Sequence, residues 1–281
     1  MNLWLLAVVI MLAGLLWLDH RPSPELGQPL TALQADAVRS MRVERSSQEA
    51  VLLIREQGGW QMQAPWSVRA DGERVRRLLG VLSQRSDTVY ALAGVDASKL
   101  GLNPARASLI VDGIRLSFGD SEPLTRRRYV QLGDQVHLLE DRFFYQLNSR
   151  PADFVDPRPL PPDAIIEMLR LPDLTLTRSA QGWQVEPPMN PETHSADAPQ
   201  VLIDAWQVAS ASDVAVAQEQ EGASAQFVAI QLRGVSAPLR FGLRQDADGI
   251  RLIDARTGLA WQFGKYAADS LLKLREIVPD A

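Results

Sequence analysis

Apolar and polar positions along most of this chain alternate with a period of two, interrupted by a few stretches of helical period. Val38 to Val43 and Val51 to Arg55 read as strands, and Gly58-Gly59 turns the chain into a third strand carrying Trp60. Asp71 stands where a helix N-cap is expected. Val75, Leu78, Leu79 and Leu82 then fall at i, i+3, i+4 and i+7, an apolar stripe with Arg74, Arg76, Arg77 and Arg85 off it. After the turn-rich step Gly101-Leu102-Asn103-Pro104, the run Ser108 to Gly119 is split by Asp112-Gly113, a strong short-range signal for a hairpin. Tyr129 to Leu132 and Val136 to Leu139 make a second strand pair about Gly133-Asp134, and a short helix is expected through Phe143, Phe144 and Leu147.

The same pattern then starts again. Gly59-Trp60-Gln61-Met62-Gln63-Ala64-Pro65 is echoed 123 residues later by Gly182-Trp183-Gln184-Val185-Glu186-Pro187-Pro188. Ala196-Asp197 precedes a helix on which Leu202, Ala205, Trp206 and Ala209 share a face. Phe227 to Leu232 and Leu239 to Gly242 match the first hairpin, Ile250 to Ile253 and Leu259 to Phe263 match the second, and Tyr266 to Ile277 reads as a closing helix. A fixed internal period defines the architecture before any single element does. The expected fold class is α+β: an N-terminal transmembrane helix, then two tandem repeats, each an antiparallel sheet with a packed helix and a short closing helix. The expected organisation is an anchor over 1–20, a Pro-rich linker over 21–35, repeat one over 36–150, a Pro-rich connector over 151–162 and repeat two over 163–281.

Leu3 to Leu18 carries no charge across sixteen positions, with Trp4 and Trp17 near its ends. At about 1.5 Å per helical residue such a run spans roughly 25 Å, short but sufficient to cross a bilayer. No Lys or Arg precedes it and no small-residue cleavage site follows, so it reads as an uncleaved single-pass anchor rather than a removed signal peptide. A head of two residues and a large folded body behind place the bulk of the chain in the periplasm, on the inner membrane.

Composition narrows the chemistry. The net charge of −5 argues against nucleic acid as a partner. There is no cysteine, which removes disulfides, thiolate catalysis and Cys-type metal sites together. His20, His137 and His194 have no histidine at metal-ligand spacing. Asp246-Ala247-Asp248-Gly249 resembles part of a calcium loop, but the first and last ligand positions would be Arg244 and Ala255, so a hairpin turn is the better reading. No catalytic residue, cofactor site or metal site is assigned. The candidate interaction surface is Arg126, Arg127 and Arg128, the densest basic cluster, with Trp60 and Trp183 as paired aromatics. A solvated loop and two sheet-packing side chains are the plainer readings of the same residues.

The anchor, the W-x-x-x-x-P strand followed by an Ala-Asp-started helix, Gly101 to Pro104, the hairpin ending in Phe118-Gly119, and Tyr129-Val130 with its partner strand resemble a bacterial membrane-anchored domain-of-unknown-function family (DUF4340-like). The resemblance covers nearly all the chain after residue 36, although the second copy lacks a clear Gly-Leu-x-Pro step. Because relatives are commonly encoded beside an ABC-type permease, its ATPase and a gliding-motility-type auxiliary protein, the resemblance implies a non-enzymatic accessory subunit of such a system, with the permease or an auxiliary envelope protein as partner. A binding module for an envelope glycan or lipid headgroup is the alternative. An envelope hydrolase is disfavoured by the missing nucleophile and metal signatures.

Overall fold

The computed structural model describes residues 29–218 and 226–277. Its first sheet comprises β1 (Ser40–Arg45), β2 (Gln48–Glu56), β3 (Gly59–Ala64), β4 (Val68–Arg69), β5 (Val89–Ala91), β6 (Ala107–Val111), β7 (Ile114–Ser121), β8 (Arg128–Leu132) and β9 (Gln135–Leu139), in the spatial order β4-β3-β2-β1-β6-β7-β8-β9-β5. The second comprises β10 (Ile166–Arg170), β11 (Thr175–Ser179), β12 (Gly182–Glu186), β13 (Asp213–Val216), β14 (Gln226–Leu232), β15 (Leu239–Asp246), β16 (Gly249–Asp254) and β17 (Leu259–Gly264), in the order β12-β11-β10-β14-β15-β16-β17-β13. Once β4 is set aside the two orders correspond strand for strand, β3 with β12 at one edge and β5 with β13 at the other.

The helices are α1 (Gly72–Leu79), α2 (Phe144–Leu147), α3 (Ala198–Val208) and α4 (Lys265–Leu272). Among the described residues strand accounts for 43% and helix for 19%, which corrects the α+β expectation: the fold is chiefly two antiparallel sheets. Helices of four to eleven residues are too short to form a layer of their own. Among the described residues no helix is long and apolar enough to cross a membrane. The expected anchor, residues 1–20, and most of the linker lie outside the described residues.

Contact density divides the described chain into two compact units, 29–46 with 76–148 and 47–75 with 149–277. In the first unit, Met41, Val43, Leu109, Leu116, Phe118 and Val130 are buried. The hairpin turn between β6 and β7 places Asp112 at φ 45° and Gly113 at φ 85°, both left-handed, as a type I′ turn requires. The Asp112 carboxylate accepts the Ser40 N–H at 2.8 Å, so the turn also fixes the start of β1. Gly119 is needed for close approach, because a Cβ there would stand 2.2 Å from the Leu100 carbonyl oxygen. That carbonyl accepts the Asp120 N–H at 2.7 Å, docking the Gly101 to Pro104 step onto β7.

In the second unit, Leu53, Met62, Phe154, Leu169, Leu176, Trp206, Leu252 and Phe263 are buried. Trp206 on α3 donates its indole N–H to the Leu271 carbonyl on α4 at 2.8 Å, which joins the two helices. The closing helix was expected to run to Ile277 but ends at Leu272. Lys273 is extended, and the Ile277 N–H bonds the Thr193 carbonyl at 2.9 Å, so the last residues pair with the loop ahead of α3 instead of continuing the helix.

Candidate functional site

A groove of about 940 Å³ lies in the second unit. One wall is the end of β12 and the proline loop after it (Val185, Pro187, Pro188). The opposite wall is α3 with Val201 and Ala205, and the rim comes from α4 and the extended segment beyond it, with Tyr266 and Lys273. Each element is held for a local reason. The proline loop cannot extend the sheet, since each Pro lacks a ladder donor. The Glu186–Pro187 bond is cis. The His194 N–H returns to the Asn190 carbonyl at 3.0 Å, closing the loop on itself. Tyr266 is 89% exposed and Val201 37%, an aromatic and an aliphatic side chain left to solvent at the groove. Lys273 Nζ lies 2.8 Å from Asp269. Their hydrogen bond raises the lysine and lowers the carboxyl from their ordinary values. The groove thus joins apolar wall residues to a rim that bears both signs of charge.

Trp183 stands on the same face of β12 as Val185. Its indole N–H donates to Gln200 Oε1 on α3 at 2.8 Å, and the Arg178 guanidinium lies 5.9 Å from the ring centroid. Its polar edge is occupied and the ring is half-buried. Trp60 is buried on β3 and is also faced by an arginine, Arg55, at 5.9 Å. In both copies the arginine is the tryptophan's cross-strand partner, Arg55 opposite Trp60 and Arg178 opposite Trp183. Such cation–π pairs contribute about 0.5–1 kcal/mol where exposed. Trp60 therefore acts in packing, whereas Trp183 is available at a surface.

The three arginines of the basic cluster have separate environments in the first unit. Arg126 is exposed with φ 58°. Arg127 reaches Asp87 at 3.8 Å. Arg128 is buried, stacks 3.5 Å from the Phe144 ring centroid, and is bonded to Asp141 and to the Gly119 carbonyl. Burial alone would raise the Asp141 carboxyl, but hydrogen bonds from Arg128 and Ser121 outweigh it and hold the group below its ordinary value. Arg128 is thus part of the framework. The cluster and the tryptophans belong to different units, so neither unit unites all five residues.

Asp246 accepts the Asp248 and Gly249 N–H groups at 2.9 and 3.1 Å, and Asp246 pairs with Gly249 across the β15–β16 hairpin. Among the described residues no group of three or more His, Asp or Glu side chains is arranged to hold a metal ion. His194 lies on the groove wall, and its Nδ1 is 2.9 Å from Thr193 Oγ1. His137 is buried in β9 with neither ring nitrogen hydrogen-bonded. The alternation pattern marked strands but not the groove. Tyr266 falls off the Leu271 and Leu274 stripe of its helix, the one sequence signal that it faces outward.

One family matches: a model described as domain of unknown function (DUF4340) covers residues 60–225, more than half of the 281-residue chain. No curated protein and no solved structure matches the chain.

Proposed function

The chain belongs to the DUF4340 family, and from that premise we propose that it is a non-catalytic accessory protein of a bacterial envelope complex. In this reading the apolar run Leu3 to Leu18 holds the chain at the inner membrane with its bulk in the periplasm. The chain works by docking a partner, and the resemblance implies an ABC-type permease or an auxiliary envelope subunit. The observation that carries the reading is the groove beside α3. Apolar wall residues, an exposed Tyr266 and a rim of mixed charge match the composition of protein recognition surfaces, where an aromatic anchor sits inside a polar margin.

The test is extraction in mild detergent followed by affinity purification of the chain and of a Val201→Glu variant. A stably associated membrane partner is expected with the parent chain, and recovery at least ten-fold lower with the variant, while thermal unfolding stays within a few degrees. Repeated isolation of a free monomer after chemical crosslinking in membranes would remove the reading. A second reading, capture of an envelope glycan, is favoured by one observation: the half-buried Trp183 ring with its indole N–H already satisfied, an arrangement suited to stacking on a sugar face. Quenching of Trp183 fluorescence by soluble cell-wall glycan, abolished in Trp183→Ala, separates it from the first.

A further inference from the structure

Residues 29–31 are held at a defined place in the first unit. Pro29 forms an antiparallel bridge with Arg85. The Leu30 N–H donates to the Gln84 carbonyl at 2.7 Å, and the Thr31 N–H donates to the Leu82 carbonyl at 3.3 Å. Leu30 is buried, so this pairing is pinned by a side chain as well as by the backbone. The apolar run ends at Leu18, and residues 19–28 are ten in number. At full stretch, at about 3.3–3.6 Å per residue, the eleven steps from Leu18 to Pro29 reach at most roughly 40 Å. Arg85, one strand spacing of about 5 Å from Pro29, therefore stays within roughly 45 Å of Leu18.

This stretch is basic. Residues 74–86 contain Arg74, Arg76, Arg77 and Arg85 and no acidic side chain. The apolar stripe Val75, Leu78, Leu79 and Leu82 is buried, whereas Arg76, Arg77 and Arg85 are exposed. Arg74 is half-buried and donates to Ser149 Oγ at 3.0 Å. The acidic residues nearest in sequence are Glu73 and Asp87 and, on the incoming segment, Asp19, Glu25 and Asp36; Asp87 faces Arg127 at 3.8 Å. Three guanidinium groups thus flank the point from which the chain leads back to its apolar run.

We propose that Arg76, Arg77 and Arg85 form a surface for anionic phospholipid headgroups, apposing the first unit to the membrane that holds Leu3 to Leu18. The proposal rests on the membrane reading above and adds the face that meets the lipid. Guanidinium forks pair with phosphate oxygens in a bidentate manner, and each basic side chain near an anionic leaflet contributes about five-fold to association. The three together favour the apposed state on the order of 100-fold. High salt weakens this, since the screening length falls to about 3 Å at 1 M.

The absence of native cysteine allows a single label at Ser83→Cys in the full chain. The labelled protein is reconstituted in phosphatidylcholine vesicles with or without about one third phosphatidylglycerol. Flotation reports whether the chain stays with the vesicle, and quenching of the label by a headgroup-attached quencher reports apposition. We expect flotation in both lipids and quenching only with phosphatidylglycerol. Arg76→Gln/Arg77→Gln/Arg85→Gln, or 1 M salt, should abolish the quenching, while the triple Lys variant retains most of it. Flotation without lipid-dependent quenching would overturn the headgroup surface and leave the membrane reading standing. Loss of flotation in the parent chain would overturn both. Circular dichroism of the triple Gln variant guards against unfolding as the cause.

Discussion

Asp156 shows how far a single residue's role depends on partners distant in sequence. Its carboxylate accepts the Arg158 N–H at 3.0 Å and its guanidinium at 3.1 Å, while Arg69 Nε lies 3.3 Å away and the Asp156 carbonyl accepts the Trp261 indole N–H at 3.0 Å. Asp254 makes the same local fork, to Arg256 at 3.0, 3.2 and 3.1 Å. The difference lies in what each deletion strands: the Arg69 side chain is 21% exposed, whereas that of Arg256 is 80% exposed. We expect Asp156→Ala to cost about 3 kcal/mol in denaturant unfolding and Asp254→Ala about 1–2 kcal/mol. Equal costs would remove the role given to Arg69. The Asp-x-Arg pattern is readable in sequence, but the connector's prolines said only that this was a loop, because Arg69 lies 87 residues away. His137 yields a prediction with a definite sign. Burial pushes its imidazole below the ordinary value of 6.5, so the folded chain favours the neutral ring while the unfolded chain takes up a proton near that pH. Stability is therefore full above about pH 6.5 and falls as the pH drops below it. His137→Leu should flatten the melting temperature between pH 7.5 and pH 5 relative to the parent.

Among the elements, those coded by neighbouring residues were legible and those coded by distant ones were not. The Asp71 cap is in place, with Oδ1 accepting the Glu73 and Arg74 N–H groups at 2.9 and 3.2 Å, and the Asp112-Gly113 hairpin has the expected turn. β10 gave no clear signal: one of its ladders is with the neighbouring β11, but the other forms with β14, whose paired residues lie about sixty positions on. β5 is only three residues long and is defined by its pairing with β9, Val89 opposite His137. The closing helix was read too long, since its continuing pattern did not reveal the competing bond from Ile277 to Thr193. Gly119 offers a test at this scale. Gly119→Ala should destabilise by about 2 kcal/mol or more, because the obstacle is the Leu100 backbone. Gly133→Ala, at φ 55° with open space around it, should cost only about 1 kcal/mol, and differential scanning calorimetry on the pair separates crowding from backbone conformation.

At the level of the whole molecule, the repetition was legible because a period survives substitution, and the family resemblance followed from the order of short motifs. The class was misread because two amphipathic stripes suggested a helical layer, where among the described residues seventeen strands in two sheets carry most of the buried apolar side chains. The groove was not legible at all: its walls come from Val185, Val201 and Tyr266, residues that only the folded second unit brings together. The defining expectation at this scale is partner recovery that falls with Val201→Glu while the fold persists. The start of the described chain has a mechanical corollary. Backbone hydrogen bonds from Leu30 and Thr31 and the buried Leu30 side chain hold the start of the segment ahead of β1, while buried Val38 and the Arg39 N–H bond to Asp112 hold its end. A pull applied ahead of Pro29 loads the Leu30 and Thr31 bonds first, and their rupture releases the stretch up to Ala37 as slack before β1 is loaded. Force spectroscopy should record that fuse as a small early extension preceding the main unfolding event.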